Sequence, residues 1–284
     1  MLQITDRYQR IVLLGSAGYL GSTLMAHLQH TVHVVPVHRT IARFPDSHPY
    51  NFWTDSITSL IAQQHSDLVI IAANMAYEAA DVTCDFADFK RRVDQLVRDC
   101  QACRVLYISS DGIFDGRKGY YVESDIPTPS TLYGRNLKYF EEAVQALCTN
   151  YCIVRPSYLY GYSCSQLDRR LSQIRDRLLA GEQLSYFTDM IKSPMEVNQI
   201  AQAITWLACS DYIGIMHVAG EAMSVYDFYQ EAMRSLGITY PGLLPAHMPT
   251  DFPHPRDTSL DISLMKKLMG IVPLSVQEAL SVVS

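Results

Sequence analysis

The stretch Arg10-Ile-Val-Leu-Leu14-Gly15-Ser-Ala-Gly18-Tyr-Leu-Gly21 decides the fold that the sequence predicts. Its first five residues form the apolar run of a buried parallel strand, and a helical pattern, Leu24-Met25-x-x-Leu28, follows the glycines. In dinucleotide-binding units of this kind, Gly15 permits a tight turn, Gly18 lets a pyrophosphate approach the helix N-terminus, and Gly21 lets the helix pack on the sheet. We therefore predict a dinucleotide site here; a glycine turn of purely structural use is the alternative.

Strand and helix patterns alternate on both sides of this unit. Further strands are predicted at residues 32–37, 52–55, 67–73, 104–109, 151–155 and 214–220, and helices at 81–103, 133–147 and 166–181. This alternation predicts an α/β fold, a Rossmann-type doubly wound parallel sheet. After residue 161 the chain is punctuated by prolines, which indicates a smaller C-terminal substrate-binding lobe. We place the dinucleotide-binding domain at 1–157 plus about 196–222, and the lobe at 158–195 and 223–284.

The second predicted strand ends at His38-Arg39 without the acidic residue that would bind the ribose 2′-hydroxyl of NAD(H). Arg39 suits the 2′-phosphate of NADP(H) instead, although NAD(H) stays open and a solvated arginine is the alternative. Asp55 could close the adenine pocket or lie on the surface. The remaining cofactor candidates belong to the glycine turn or to strand ends, and they are Ala17, Tyr19, Leu20, Ala72, Ala73, Asn74 and Pro156.

Composition excludes several classes of function. The chain has 284 residues, 48% of them hydrophobic, and carries a net charge of −6, so no basic face for nucleic acid is expected. No apolar run reaches the ~18 residues of a membrane span. Seven cysteines without a signal peptide fit a reducing cytoplasm. Cys100-x-x-Cys103 closes a polar helix rather than opening one after a strand, which favours a structural over a redox role.

Two further motifs place reactive side chains near the predicted sheet edge. Ser110 follows the strand at 104–109, and Tyr133 begins the next helix. A phenol can donate a proton to a carbonyl oxygen that a neighbouring hydroxyl already binds, so this pair suits carbonyl reduction. Asp111 and Phe114 follow Ser110 closely, and we predict that they contact the substrate. We assign no metal ligand.

In this order, the motifs resemble the extended short-chain dehydrogenase/reductase family, in its dTDP-4-dehydrorhamnose reductase branch. The resemblance covers nearly the whole chain through Gly15-x-x-Gly18-x-x-Gly21, Ser109-Ser110-Asp111-x-x-Phe114-Asp115-Gly116, Tyr121-x-Glu123-x-Asp125-x-Pro127, Tyr133-Gly134, Arg155-x-Ser157-x-Leu159-Tyr160-Gly161, Gly214-Ile-x-His217-Val-Ala-Gly220 and Pro255-Arg256-x-x-x-Leu260-Asp261. It implies NADPH or NADH, hydride delivery to the 4-keto group of a nucleotide-linked deoxysugar, Ser110 and Tyr133 as catalytic residues with Tyr133 also touching the cofactor, and Arg256 near the substrate.

Three positions depart from the family pattern. The family lysine belongs four residues after the tyrosine, where this chain has Leu137, with Lys138 one residue further on. The asparagine expected on the preceding helix falls on Ala87, and Gly112 stands where the family usually has tyrosine. An adjacent ammonium lowers the pKa of an acid by about 1–3 units, so its loss would slow proton transfer roughly 10- to 10³-fold.

Helix geometry decides whether Lys138 can replace the missing lysine. At ~100° per residue, position 137 lies on the face of Tyr133 and position 138 lies about 140° away. One π-bulge would bring Lys138 beneath Tyr133, and Lys138 is a catalytic candidate on that condition. The regular helix is expected because π-bulges are rare.

Two functions therefore stay open. One is an NADP(H)-dependent reductase of a nucleotide-linked deoxysugar, an oxidoreductase acting on CH–OH groups with NADP. The other is a catalytically impaired homologue that binds NADP(H) or nucleotide sugar in a regulatory role. The partner expected in both cases is a nucleotide sugar, without nucleic acid or membrane, and a homodimer is left open.

Overall fold

A seven-stranded sheet with helices on both faces forms most of the molecule. The computed structural model describes residues 8–81, 85–239 and 241–281. The strands are β1 (Arg10–Leu14), β2 (His33–His38), β3 (His48–Pro49), β4 (Leu68–Ile71), β5 (Arg104–Ile108), β6 (Tyr151–Pro156), β7 (Leu159–Tyr160), β8 (Tyr162–Ser163), β9 (Gln166–Leu167), β10 (Leu184–Phe187), β11 (Ile191–Lys192), β12 (Met195–Glu196), β13 (Gly214–Val218), β14 (Met223–Ser224) and β15 (Leu243–Ala246).

The helices alternate with the strands of the main sheet. They are α1 (Tyr19–Leu28), α2 (Thr58–Gln63), α3 (Met75–Asp81), α4 (Phe86–Cys100), α5 (Leu132–Leu147), α6 (Arg169–Leu179), α7 (Val197–Ala208), α8 (Val225–Ser235), α9 (Ser263–Met269) and α10 (Val276–Ser281). In the described part of the chain, no helix combines the length and the apolar character needed to cross a bilayer.

The sheet order confirms the predicted α/β fold with a doubly wound parallel sheet. The strands lie in the order β13-β6-β5-β4-β1-β2-β3, and every neighbouring pair is parallel. Four of the five residues of β1 and all of β4 are buried, as expected for central strands covered on both faces. The order reverses between β1 and β4, where their carboxyl ends open a crevice that suits a ligand.

The predicted strand at 52–55 is wrong. The third strand is only His48–Pro49 at the sheet edge, and residues 52–54 form a turn. Side chains within this turn take up its backbone donors: Asp55 accepts from the Asn51 N–H at 2.7 Å, and Asn51 accepts from the Trp53 N–H at 3.0 Å. Such local hydrogen bonds compete with strand pairing.

The helix predicted at 81–103 is shorter in the structure, whereas the one predicted at 133–147 is confirmed. α4 begins at Phe86, after Asp85 caps the Ala87 N–H at 3.0 Å, and the separate α3 ends at Asp81. α5 begins at Leu132 because Thr131 accepts the Gly134 N–H at 3.0 Å. Cys100 ends α4 and is buried, and burial raises its pKa.

The described residues form two hydrophobic clusters. The larger one lies between the main sheet and its helices. The smaller one is built by α6, α8, α10 and the pair β10–β15, from residues Tyr160, Leu171, Ile174, Leu178, Leu184, Phe228, Tyr229, Ala232, Met233, Val276, Ala279 and Leu280. We propose that the smaller cluster is the core of the predicted C-terminal lobe. Leu260, Ile262, Met265 and Ile271 pack in the larger cluster, so the lobe proposed for 223–284 does not include them.

Candidate active site

In the glycine turn between β1 and α1, backbone segments pack closely against each other. A Cβ at Gly21 would lie 2.0 Å from the Gly15 carbonyl oxygen, so only glycine lets the helix pack on the turn. Gly15 has a φ of +88°, and a Cβ there would lie 2.7 Å from the Ala73 nitrogen. The turn therefore rests on the end of β4, which brings Ala72, Ala73 and Asn74 beside it. The result is a cradle lined by backbone at the helix N-terminus, which fits a pyrophosphate.

The other turn residues have their side chains occupied. The Tyr19 hydroxyl donates to the Gly161 carbonyl at 2.9 Å, and Leu20 is buried in the core. Ala17 is partly exposed on the turn, and Pro156 ends β6. Tyr19 and Leu20 can therefore offer a dinucleotide chiefly their backbone.

Arg39 and Asp55 lie on the surface, and each already has a partner. Arg39 follows β2 and forms an ion pair with Glu78 of α3 at 2.5 Å, with half of its side chain exposed. Asp55 accepts from the Asn51 N–H and from the Thr54 hydroxyl at 2.8 Å, and these bonds lower its pKa. Asp55 thus stabilises its own turn. Arg39 keeps the position at the end of β2 that a 2′-phosphate contact requires.

Ser110 lies at the carboxyl end of β5, where a 3₁₀ helix, Asp111–Ile113, begins. Its Oγ accepts from the Gly112 N–H at 3.2 Å and donates to Asp111 Oδ1 at 3.0 Å. The preceding Ser109 donates to Glu141 at 2.5 Å, and Glu141 forms a fully buried ion pair with Arg155 at 2.6 Å. This network anchors the end of β5 to α5 and β6.

Two glycines bring Tyr133 against the 3₁₀ helix. A Cβ at Gly134 would lie 2.3 Å from the Gly112 carbonyl oxygen, so α5 starts in close backbone contact. A Cβ at Gly112 would lie 3.0 Å from Tyr133 Cε1, which is shorter than an ordinary van der Waals contact. This close contact explains why position 112 is glycine: the Tyr133 ring leaves little room for the tyrosine that the family usually has there.

The Tyr133 side chain is partly buried, and four neighbouring side chains act on the pKa of its phenol. Burial and the negative charge of Asp111 raise the pKa of the phenol. The Ser110 and Asn74 side chains and the positive charge of Arg170 lower it. Burial is the largest effect, so the pKa is raised overall. The phenol is therefore protonated at neutral pH and can donate. Asn74, assigned to the cofactor from sequence, lies against the phenol itself.

Lys138 lies outside the group of side chains around the Tyr133 phenol. α5 is α-helical throughout, which confirms the regular helix, and Lys138 forms an ion pair with Glu142 at 2.8 Å. Leu137 occupies the face of Tyr133 and is buried. The assignment of Lys138 as a catalytic residue, which required the bulge, is therefore wrong. Ala87 is exposed in the first turn of α4 and offers no polar side chain.

Asp111 and Phe114, predicted to touch substrate, are occupied within the protein. The Asp111 carboxylate is buried and accepts hydrogen bonds from four side chains: Ser110 at 3.0 Å, Ser157 at 3.1 Å, Lys192 at 2.9 Å and Thr258 at 2.5 Å. Burial alone would raise the pKa of the Asp111 carboxyl. The charge of Lys192 and these hydrogen bonds together lower it by more, so the pKa lies below its usual value.

Phe114 is fully buried and stacks on Tyr121 with ring centroids 4.0 Å apart. The structure therefore does not place it at a substrate surface, and its prediction as a substrate contact is wrong. The sequence also gave no local signal for Lys192 or Thr258, because they lie 81 and 147 residues from Asp111 along the chain.

Arg256 is only partly free for substrate. It forms an ion pair with Asp189 and donates to the Met248 carbonyl at 3.2 Å. It lines a cavity of about 630 Å³ together with Arg117, Phe252 and His254.

A second cationic side chain, Arg170, acts on the pKa of Tyr133. The Arg170 guanidinium lies 4.8 Å over the Tyr158 ring, and its charge lowers the pKa of Tyr133, Tyr158 and Tyr229. Tyr158 and Tyr229 also line a small cavity of about 20 Å³ with Phe228 and Lys192. Lys192 connects this cavity to Asp111, to which its Nζ donates at 2.9 Å.

Comparisons with known proteins identify the family to which the chain is similar. A sequence model of the family described as RmlD substrate binding domain matches residues 9–283. The chain is 26% identical over 274 residues to the "Probable low-salt glycan biosynthesis reductase Agl14" of Haloferax volcanii, covering 90% of this chain and 91% of that one. It is 26% identical to a dTDP-4-dehydrorhamnose reductase of Mycobacterium tuberculosis, over 95% of this chain and 90% of the relative.

The fold is also found among solved structures. The crystal structure of a hypothetical dTDP-4-dehydrorhamnose reductase from Sulfolobus tokodaii superposes with a TM-score of 0.80 at 24% identity, over 94% of this chain and 98% of that chain.

Proposed function

Because this chain belongs to the RmlD substrate-binding-domain family, we propose that it reduces a keto group on a nucleotide-linked deoxysugar with NADPH, in the manner of dTDP-4-dehydrorhamnose reductase. In the reverse direction the same enzyme would oxidise a CH–OH group with NADP⁺. The observation that carries the proposal is the placement of Ser110 and Tyr133 beside Gly112 at the carboxyl edge of the sheet: a Cβ on Gly112 would lie 3.0 Å from Tyr133 Cε1 and 3.6 Å from Ser110 Oγ. The pathway would be one of carbohydrate biosynthesis.

The residues present fit the cofactor. A Cβ at Gly15 or Gly21 would collide with backbone atoms, so the glycines keep the cradle at the helix N-terminus lined by backbone, and Arg39 at the end of β2 can bind a 2′-phosphate once it leaves Glu78. Ala73 and Asn74 would border the nicotinamide side, because they follow β4 beside the turn. Bound NADPH supplies the hydride for the keto carbon. NADH fits the same cradle without the Arg39 contact.

The chain supplies the proton and holds the oxygen. The Tyr133 phenol would donate its proton to the carbonyl oxygen as the hydride reaches the carbon, and the product is an alcohol. The Ser110 hydroxyl would bind the same oxygen, so that the developing charge is shared. Tyr133 is left as a phenolate and regains its proton from water.

Two arginines are candidates to bind the diphosphate of the substrate. Arg170 is exposed, its guanidinium lies 4.8 Å over the Tyr158 ring, and it has no carboxylate ion-pair partner among the described residues. Arg256 would contribute from the larger cavity, whose volume of about 630 Å³ is in the range of ligand sites. Arg170 is the better candidate, because Arg256 is held by Asp189.

The test is NADPH oxidation, followed at 340 nm, with a panel of 4-keto nucleotide sugars that varies the base and the deoxysugar. We expect turnover with at least one member and a loss of turnover in Arg170→Ala that lies mainly in KM. Failure of every keto sugar, with NADPH binding intact, would refute the reductase. Retention of the wild-type KM in Arg170→Ala would refute its assignment alone.

One observation favours the regulatory alternative. The position of the family lysine is filled by the buried Leu137, so α5 gives Tyr133 no ammonium. A homologue of this kind would bind NADPH and nucleotide sugar, measured by calorimetry, and would show no turnover.

A further inference from the structure

We propose that Lys192 is a positioning residue of the active site: by neutralising Asp111 it lets the Ser110–Tyr133 pair accept the negative charge that proton donation creates. The inference rests on the proposed function for its catalytic meaning. The arrangement of the four side chains does not depend on it, and a substrate-free measurement can therefore test the charge relation separately.

Lys192 reaches the site from a distant segment. It ends β11, the short strand that pairs with β14, and its Nζ donates to Asp111 Oδ2 at 2.9 Å and to Thr258 Oγ1 at 2.7 Å. Thr258 donates to the same Asp111 oxygen at 2.5 Å. The Lys192 side chain is only 22% exposed and that of Asp111 8%, so solvent screens this ion pair weakly.

The other carboxylate oxygen connects Lys192 to the proton donor. Asp111 Oδ1 accepts from the Ser110 hydroxyl at 3.0 Å, and Ser110 lies close to Tyr133, since a Cβ on Gly112 would be 3.6 Å from Ser110 Oγ and 3.0 Å from Tyr133 Cε1. A serine hydroxyl has one proton, which it can donate either to Asp111 or to the oxygen of Tyr133 or substrate. An uncompensated Asp111 would bind that proton strongly. With Lys192 paired to Asp111, the Ser110 proton is free to turn towards the oxygen that becomes charged.

The second consequence is electrostatic. The charged groups that act on the Tyr133 phenol are Asp111, on the 3₁₀ helix, and Arg170, at the start of α6; the phenol in turn acts on Tyr107 of β5. Asp111 opposes phenolate formation, because like charges repel in a buried site. The Lys192 ammonium neutralises the Asp111 carboxylate through their ion pair. Without Lys192 the phenolate would form beside an unpaired buried carboxylate.

α5 offers no substitute for this cation. Lys138 is paired with Glu142, and Leu137 is apolar and buried. Lys192 therefore supplies, through Asp111, the positive charge that position 137 of α5, filled by Leu137, does not provide on the face of Tyr133. Because Lys192 and Thr258 belong to segments that follow the dinucleotide-binding half of the chain, the charge is in place only when those segments dock against Asp111.

The test places 3-fluorotyrosine at position 133 and follows its single ¹⁹F resonance with pH in the full-length protein. We expect Lys192→Met to raise the pKa of the fluorophenol by about 1 unit, since an unpaired like charge is left beside it. Lys192→Arg keeps a positive charge at every pH used and should leave the pKa unchanged. Lys138→Met, the same change on an exposed lysine of α5, is the matched control and should also leave it unchanged.

An unchanged or lowered fluorophenol pKa in Lys192→Met would overturn the proposal. If that variant fails to fold, Lys192→Gln, which keeps a polar donor without charge, takes its place under the same criterion. A merely structural role for Lys192 would lower the melting temperature and leave the fluorophenol pKa where it is.

The catalytic arm uses the keto sugar that the wild type reduces. Lys192→Met should lower kcat about 10-fold, matching the shift of about 1 pKa unit, with KM for NADPH unchanged. Lys192→Arg should recover most of the loss. Wild-type kcat in Lys192→Met would refute the catalytic role even if the resonance shifts. If the wild type itself reduces no sugar, the proposed function fails, and the ¹⁹F titration still decides whether Lys192 controls the charge at Tyr133.

Discussion

The turn from β1 to α1 and the turn from β5 to α5 lie at the same edge of one sheet, and they are built by different means. The first is a backbone structure: Gly15, Gly21 and the end of β4 approach so closely that a Cβ would collide. The second is a side-chain structure, in which Ser110 and Tyr133 are surrounded by polar groups from several segments.

The difference decides how far each turn depends on the rest of the chain. The glycine turn is complete once β1, α1 and β4 have formed, so its sequence spacing is sufficient to predict it. The charges around Tyr133 come from Asp111, Arg170 and, through Asp111, Lys192, which lies 81 residues further along the chain than Asp111. Cofactor binding should therefore survive changes that abolish proton transfer, and the following predictions test that separation.

The largest effect is expected at the second turn. Tyr133→Phe removes the proton donor and should lower kcat for keto reduction by about 10²- to 10⁴-fold. The NADPH dissociation constant should stay within about twofold of wild type, since the ring and its packing are kept. Tyr139→Phe is the matched control on the same helix: its hydroxyl bonds Asp94 at 2.9 Å, and kcat should not change. Stopped-flow turnover and calorimetry measure both quantities. Equal losses in the two variants would contradict the assignment.

The glycine turn should show a graded response. Gly21→Ala puts a Cβ 2.0 Å from the Gly15 carbonyl oxygen, so the helix must move off the turn, at a cost of about 1–3 kcal/mol or more. Both the melting temperature and NADPH affinity should fall. Gly18→Ala meets the same oxygen at 3.2 Å, so the fold should hold while the cofactor loses its closest approach. The comparison fails if Gly21→Ala unfolds no earlier than Gly18→Ala.

The same contrast explains what could be predicted from sequence. The sheet, the glycine turn, α5 and its N-terminal tyrosine follow from apolar runs, spacing and helix periodicity, which are local properties. The prediction for Phe114 was wrong because no local feature of the sequence distinguishes an aromatic residue that packs in the core from one that contacts substrate. Its stacking on Tyr121 shows that Phe114 packs in the core. Lys192 and Thr258 were missed because only the tertiary fold brings them to Asp111.

A smaller effect should distinguish the cofactors at the first turn. Arg39→Ala should weaken NADPH binding about 10-fold and leave NADH binding within about twofold, because only NADPH carries the 2′-phosphate. Glu78→Gln should act in the opposite direction. It frees Arg39 from an exposed ion pair that is worth at most about 1 kcal/mol, so NADPH affinity should rise about two- to threefold. Calorimetric titration with both cofactors measures the ratio. A ratio that Arg39→Ala does not alter would remove the 2′-phosphate role of Arg39.

The smallest effect is expected at Lys138, one helix turn from Tyr133. Its ammonium pairs with Glu142 across four residues on the exposed face, in the less favourable order with lysine first, so the pair stabilises the helix by no more than about 0.5 kcal/mol. Because α5 is regular, this ammonium points about 140° away from Tyr133 and cannot assist its proton transfer. Lys138→Ala should therefore change kcat, and the melting temperature, less than Lys192→Met does, with kcat within about twofold of wild type. Abolished turnover in a folded Lys138→Ala protein would mean that α5 bulges in solution and that its own lysine, rather than Lys192, supplies the charge.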